Sequence, residues 1–290
     1  MLLPRVSTRP TIQALWKNTP EGQSLFRSFA SAPYPHPSRA QGHTYQGKLF
    51  DAATHYSDST VGLVIPAGFR PTQSTDFIVH FHGWGNHVSK VIEHHELAKQ
   101  LFASGRNAIL VVPQGPKDAS DSGGGKLEEG GGFERLVREV AQFLKAEGKI
   151  PTERIGKIVL SAHSGGYNVT RASLERGGLG KNITDVLLFD ASYGGLEVFA
   201  VWGAQKNHRL ISLFTAHLAS ENFQLLTLLQ KRGATVTSLL EAGLEAKEKT
   251  LRVRRPVILH TLDLLHDEVL MKRGYFALFL KTGILGYNVQ

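Results

Sequence analysis

The chain has 290 residues, of which 41% are apolar and 20% charged, with no cysteine and a formal charge of +8. That length suits one α/β domain with a large core. The missing thiols exclude disulfides, thiolate catalysis and cysteine-ligated metals, and no run approaches the roughly 20 apolar residues of a membrane span. The basic excess is spread along the chain, with Arg252-Val253-Arg254-Arg255 its one dense run. Nucleic-acid binding is therefore not expected, and a weak, salt-screened pull on anions is the plain consequence.

Residues 1–42 are expected to be an N-terminal extension. Met1-Leu2-Leu3-Pro4-Arg5 is too short for the apolar core of a signal peptide, which leaves either a cytoplasmic protein or an exported one whose signal is not in this chain. Thr19-Pro20-Glu21 predicts a helix start, with threonine as cap and proline in the first turn. The helix would run through Phe26 and Phe29 and pack on the main body. Ser31 to Gln41 carries three prolines and reads as an irregular connector.

A main domain is expected over 43–290. Strands are predicted at 44–51 and 60–66, then at 77–81, with a helix over 88–104. Another strand, 108–112, is halted by Pro113, and a glycine-rich loop spans 115–132. Phe133, Leu136, Val137, Val140, Phe143 and Leu144 recur at helical spacing and mark one buried face. Strands follow at 155–161, 186–189, 210–214 and 256–260, each with a helix after it. These runs are apolar throughout rather than alternating, as strands buried on both faces are. The fold class is thus α/β: a mostly parallel central sheet covered by helices on both faces, with no large lid domain. The loop 115–132 and the segment 235–254 are the two longer connections.

The segment Ile158-Val159-Leu160-Ser161-Ala162-His163-Ser164-Gly165-Gly166-Tyr167 is a strand, a small-x-Ser-x-Gly turn and a helix start. This is the pattern of a nucleophile elbow, with Ala162 where glycine is more usual. A turn so sharp needs small residues two before and two after the serine, and Ala162 and Gly166 meet that need. The Ser164 hydroxyl would stand exposed at a helix N-terminus, which favours developing negative charge.

From about residue 60 to 282 the chain resembles the α/β-hydrolase superfamily, in its bacterial esterase, lipase and depolymerase branches. That resemblance implies a triad in the order Ser, acid, His. His266, in the loop after 256–260, matches the histidine, while His260 lies inside the strand and reads as a packing residue. The region 214–221 holds no aspartate, although Glu221 is available. Asp190, capping the apolar run Leu187-Leu188-Phe189, fits relatives that carry the acid one strand earlier, and Asp263 is too near His266 to orient it. The resemblance also implies an oxyanion hole from the N–H groups of Gly165 and, in His82-Gly83-Trp84-Gly85-Asn86, of Trp84. Trp84, His163, Tyr167 and Tyr193 are expected to line the substrate pocket.

The expected reaction is cleavage of a carboxylic ester through an acyl-enzyme at Ser164, without a cofactor, in the catalytic domain 43–290. The substrate would be a small or polymeric ester, the latter if the cleft is open. An amidase or peptidase with the same triad, and a catalytically dead binding module on this scaffold, are the alternatives. Histidines 80, 82, 87, 94 and 95 invite a zinc reading, but no further ligand at metal spacing accompanies them. Lys117 to Lys126 lacks the remaining oxygens of a calcium loop and the Gly-Lys-Ser/Thr ending of a phosphate loop. It reads as a mobile loop over the site. No metal site is expected.

Overall fold

The computed structural model describes residues 15–242 and 248–288. Its strands are β1 (Lys17–Thr19), β2 (Gly22–Ser28), β3 (His43–Tyr45), β4 (Lys48–Phe50), β5 (Thr60–Pro66), β6 (Thr75–Phe81), β7 (Ala108–Pro113), β8 (Ile155–His163), β9 (Ile183–Phe189), β10 (Arg209–Phe214), β11 (Thr237–Leu240) and β12 (Val257–His260). Its helices are α1 (Ala52–His55), α2 (Val88–His94), α3 (Leu97–Ser104), α4 (Gly132–Ala146), α5 (Tyr167–Arg176), α6 (Leu196–Gly203), α7 (Ala219–Lys231), α8 (Glu248–Leu251) and α9 (Tyr275–Lys281).

Among the described residues, ten strands form one sheet in the order β1-β2-β5-β7-β6-β8-β9-β10-β12-β11. The joins β1/β2, β2/β5 and β5/β7 are antiparallel, and every join from β7/β6 onward is parallel. The parallel strands are sandwiched, which is why their sequences carry apolar residues at every position rather than every second one. Phe77 and Val79 of β6 pack with Leu136, Val140, Phe199 and Leu229 from α4, α6 and α7. Ile78, between them, packs on the opposite face with Val91, Leu101, Phe276 and Phe279 from α2, α3 and α9.

Several local expectations are corrected. The predicted helix through Phe26 is instead the hairpin β1–β2, closed by Pro20 and Glu21, with all seven residues of β2 paired to β5. Part of the segment read as an extension is thus the antiparallel edge of the main sheet. The expected strand 44–51 folds back on itself as β3–β4, a separate two-stranded ribbon. Its turn residues Gln46 and Gly47 both have positive φ, the backbone a two-residue hairpin requires. The expected helix 88–104 breaks in two at His95-Glu96, where Glu96 adopts φ +49°. Within 235–254, β11 extends the sheet in parallel with β12. Residues 243–247 lie outside the described residues.

The segment before β3 braces the glycine-rich loop. Arg39 donates to both carboxylate oxygens of Asp121, at 2.7 and 2.9 Å. The Lys126 amide donates to the Pro33 carbonyl and its ammonium to the Ala30 carbonyl. A Cβ on Gly125 would lie 2.1 Å from that Pro33 oxygen, so only glycine allows this approach. The loop expected to be mobile is therefore tied down by ionic and backbone bonds.

Candidate active site

Strand β8 ends in the elbow. Ser164 has φ +51°, and the chain passes through one short turn, 164–166, into α5. A non-glycine residue in left-handed backbone is strained, and such strain persists where the surroundings impose it. Here the surroundings are tight. A Cβ on Gly166 would stand 2.3 Å from the Phe81 carbonyl oxygen, and Ala162, paired with Phe81 across the sheet, is fully buried. The small residue expected two after the serine is required by contact, and the one two before it is fully buried against the neighbouring strand.

Asp190 follows β9, also in left-handed backbone at φ +47°. Its carboxylate is fully buried and accepts from His266 Nδ1 at 2.7 Å, from the Thr215 amide at 2.8 Å and from the Thr215 hydroxyl at 2.8 Å. Burial alone would raise this carboxyl. The bonds from His266 and Thr215, with the nearby His217, outweigh it and hold the group below the usual carboxylate range. Because an ionised carboxylate only accepts, Nδ1 of His266 carries the ring proton and Nε2 keeps a lone pair. His266 sits among turns after β12, and the helix expected next to it begins only at Tyr275. Asp263 instead pairs with Arg273, and His260 stacks on Phe214 with its ring plane nearly parallel.

Ser164 and His266 line one cavity of about 400 Å³, together with Gly83, Trp84, His163, Gly165, Tyr167, Tyr193 and Asp267. All four residues expected at a substrate pocket are in that lining. No hydrogen bond joins Ser164 to His266 among the described residues; the Ser164 hydroxyl instead lies against the Tyr193 phenol. Burial and the Asp190 charge push that phenol up to about 12, and the contact with Ser164 pulls the other way.

The early loop comes very close to the serine. A Cβ on Gly83 would fall 2.6 Å from the Ser164 Cβ. The next residue, Trp84, lays its indole over Gly165, where an added Cβ would be 2.7 Å from the ring, and donates from Nε1 to the Ser122 hydroxyl. His82 is the brace behind this loop. Its Nε2 accepts from the Gly115 amide at 2.9 Å, so Nδ1 carries the proton and donates to the Gly83 carbonyl at 2.8 Å. Burial keeps its ring pKa low, which preserves that neutral tautomer.

His163 lines the cavity while being almost fully buried. Its Nε2 donates to the His266 carbonyl at 3.0 Å, and the two rings lie 4.8 Å apart. Burial first, then the neighbouring His266, depress its pKa to about 4. The histidines at 80–95 do not converge on a point: His80 bonds Ser161, His82 bonds Gly83 and His87 bonds Asp118. Among the described residues, ligand-type atoms gather closely in two places, His163 with His266 and Asp267, and Asp190 with His217 and His266. Both include His266.

Sequence reasoning passed over Thr215, His217 and the bracing role of His82. Thr215 and His217 stand in the segment 214–221, where the sequence reading looks only for a carboxylate and finds Glu221. The pairing of Thr215 with Asp190 depends on two loops meeting, which no local pattern records.

No protein-family model matches the chain, and no curated protein does. Solved structures do match. The feruloyl esterase module from Clostridium thermocellum, complexed with sinapinate, superposes with a TM-score of 0.53 at 9% identity over 96% of each chain. A ferulic acid esterase gives 0.51 at 12% identity, covering 77% of this chain and 91% of that one. The fluorophosphonate-binding serine hydrolase F of Staphylococcus aureus gives 0.50 at 10%, covering 89% and 99%. With the sheet order and elbow described above, this likeness shows that the chain has the α/β-hydrolase fold.

Proposed function

We propose that the protein is a serine esterase in which Ser164, His266 and Asp190 form the triad. The observation that carries the reading is the 2.7 Å bond from His266 Nδ1 to a buried, ionised Asp190, at a cavity whose wall holds Ser164 on a strained elbow. Asp190 fixes the tautomer, so His266 Nε2 serves as the base. Catalytic bonds commonly tighten only in the substrate complex, and substrate in the cavity brings the Ser164 hydroxyl onto that nitrogen.

Ser164 Oγ adds to the ester carbonyl carbon as its proton passes to His266 Nε2. The oxyanion accepts from the N–H groups of Gly165 and Trp84, whose backbone is brought beside Oγ by Gly83. Collapse breaks the bond to the alkoxide, which leaves as the alcohol with the proton from His266. Water then repeats the sequence on the acyl-enzyme and frees the acid. The resemblance of the fold to esterases favours a carboxylic ester over an amide as substrate.

A fluorophosphonate probe tests the reading. Ser164 becomes labelled and Ser164→Ala does not, while turnover of short 4-nitrophenyl esters disappears with the label. A native protein that neither labels nor cleaves any ester of a graded panel is a binding module, and the proposal fails.

A further inference from the structure

His217 stands in the short turn Ala216–Leu218 after β10 and has no part in the triad. Both of its ring nitrogens are engaged. Nδ1 lies 2.6 Å from the Thr215 hydroxyl oxygen and Nε2 2.8 Å from the Tyr193 phenol oxygen. His217 Nδ1 is also 3.5 Å from Asp190, and its ring centre is 5.3 Å from that of His266. Two imidazoles therefore converge on one buried carboxylate, one by direct contact and one chiefly through a threonine.

The direction of each bond in this chain follows from the carboxylate. Asp190 only accepts, so the Thr215 hydroxyl spends its single proton on it. The Thr215 oxygen then accepts from His217, which places the His217 proton on Nδ1. The bare Nε2 accepts from the Tyr193 hydroxyl, and the remaining phenol lone pairs turn toward the cavity. Tyr193 is a cavity wall shared with Ser164, its ring 6.1 Å from that of Tyr167 and 6.2 Å from that of His266. It is also 42% exposed, so packing alone does not fix it.

We propose that His217 is a positioning residue that pins the Tyr193 phenol as a polar wall of the substrate pocket and takes its own orientation, through Thr215, from the carboxylate that orients His266. The inference rests on the esterase reading for its kinetic consequence but not for the hydrogen-bond order. Pinning matters for binding, because a wall ordered in advance costs a substrate less to organise. It matters little for the attack, which His266 serves.

Two measurements test it. The first needs no activity: nitrogen-15 shifts of the histidines at about pH 9, where imidazoles are neutral, report the tautomer of His217. The Nδ1–H form is expected, and the Nε2–H form overturns the proposal. The second uses 4-nitrophenyl butanoate. His217→Ala and Tyr193→Phe each raise KM about five- to tenfold, as loss of one bond does, with kcat within about twofold. The double variant is no worse than either single one, because both remove the same interaction. His217→Gln, whose amide oxygen can accept from Tyr193, brings KM back to within about twofold of the native value. An unchanged KM in His217→Ala, additive losses, or a glutamine no better than alanine overturns the assignment. Fluorophosphonate labelling of Ser164 runs alongside. Loss of that label in the native protein defeats the esterase reading and leaves the tautomer result to decide this one.

Discussion

Asp190 is buried, and an unpaired buried carboxylate would neutralise itself by binding a proton. It stays ionised because three donors meet it, one of them the ring it orients. Its group pKa is depressed, so the stability it contributes is complete above the ordinary carboxylate value of about 3.9 and is lost as pH falls through its lower folded value. Asp190 therefore does not titrate near neutrality. Asp190→Asn keeps the shape but can donate to Nδ1, which turns the ring proton to Nε2 and removes the base. A fall in kcat of about 10³–10⁴-fold is expected. A variant retaining more than about a tenth of native kcat would leave Asp190 without this role. At the same scale, Gly83→Ala would place a methyl 2.6 Å from the Ser164 Cβ. Displacing the serine costs about 100-fold in kcat/KM with the fold kept. Gly130→Ala, with open space around it, is the matched control and leaves kcat/KM unchanged.

At the scale of elements, the sheet brings together groups that are far apart in sequence. His80 on β6, His95 after α2 and His163 on β8 form a buried cluster behind the elbow, and each keeps one ring nitrogen without a partner. Burial, then their mutual repulsion, holds His80 well below its ordinary value and His95 at about 3; burial, then His266, holds His163 at about 4. The unfolded chain protonates these rings near pH 6.5 and the folded one does not, so stability is lost as pH drops below that value. The slope approaches about 1.4 kcal/mol per pH unit for each uncoupled histidine. Urea midpoints should fall steeply between about pH 6.5 and 4, and His95→Phe should flatten the fall. A midpoint independent of pH over that window would contradict the buried neutral cluster. The parallel strands on which the cluster stands were legible from sequence because burial on both faces leaves a continuous apolar run. The N-terminal hairpin was not. Thr19-Pro20-Glu21 suits the first turn of a helix and also a β-turn with proline at its second position, and pairing of β2 with β5 decides between them. The elbow was legible because its constraints are local. The chain Tyr193–His217–Thr215 was not, because it joins two loops whose meeting only the assembled sheet dictates.

Across the whole molecule, the two ends of the parallel sheet do different work. Ser164, Asp190 and His266 follow the carboxyl ends of β8, β9 and β12, where open α/β sheets place their sites. Near the amino ends lies a charged knot. Asp185 and Arg209 face each other in register on β9 and β10, both fully buried, and Arg254 shares the same carboxylate. Arg209 further donates to the Leu251 carbonyl and, in α9 and just beyond it, to the Phe279 carbonyl and the Thr282 hydroxyl. One side chain thus ties two strands to α8 and α9. From sequence these strands were expected to begin at Val186 and Leu210, where the apolar runs start. Here the charges neutralise each other inside the sheet. Removing one member strands the rest: Arg209→Ala leaves a buried carboxylate with Arg254 as its remaining cation and takes their donor from the Leu251 and Phe279 carbonyls. The expected loss is about 3–5 kcal/mol, a drop in melting temperature on the order of ten degrees. The knot lies some 15–20 Å from the proposed triad, about the length of a strand, so below the new transition kcat/KM should stay within about twofold of native, as for distant independent sites. Calorimetry beside ester turnover at low temperature separates the two effects. A variant as stable as the native chain would mean that Asp185 and Arg209 do not pair in solution. A stable fold with lost turnover would mean that the two ends of the sheet are coupled.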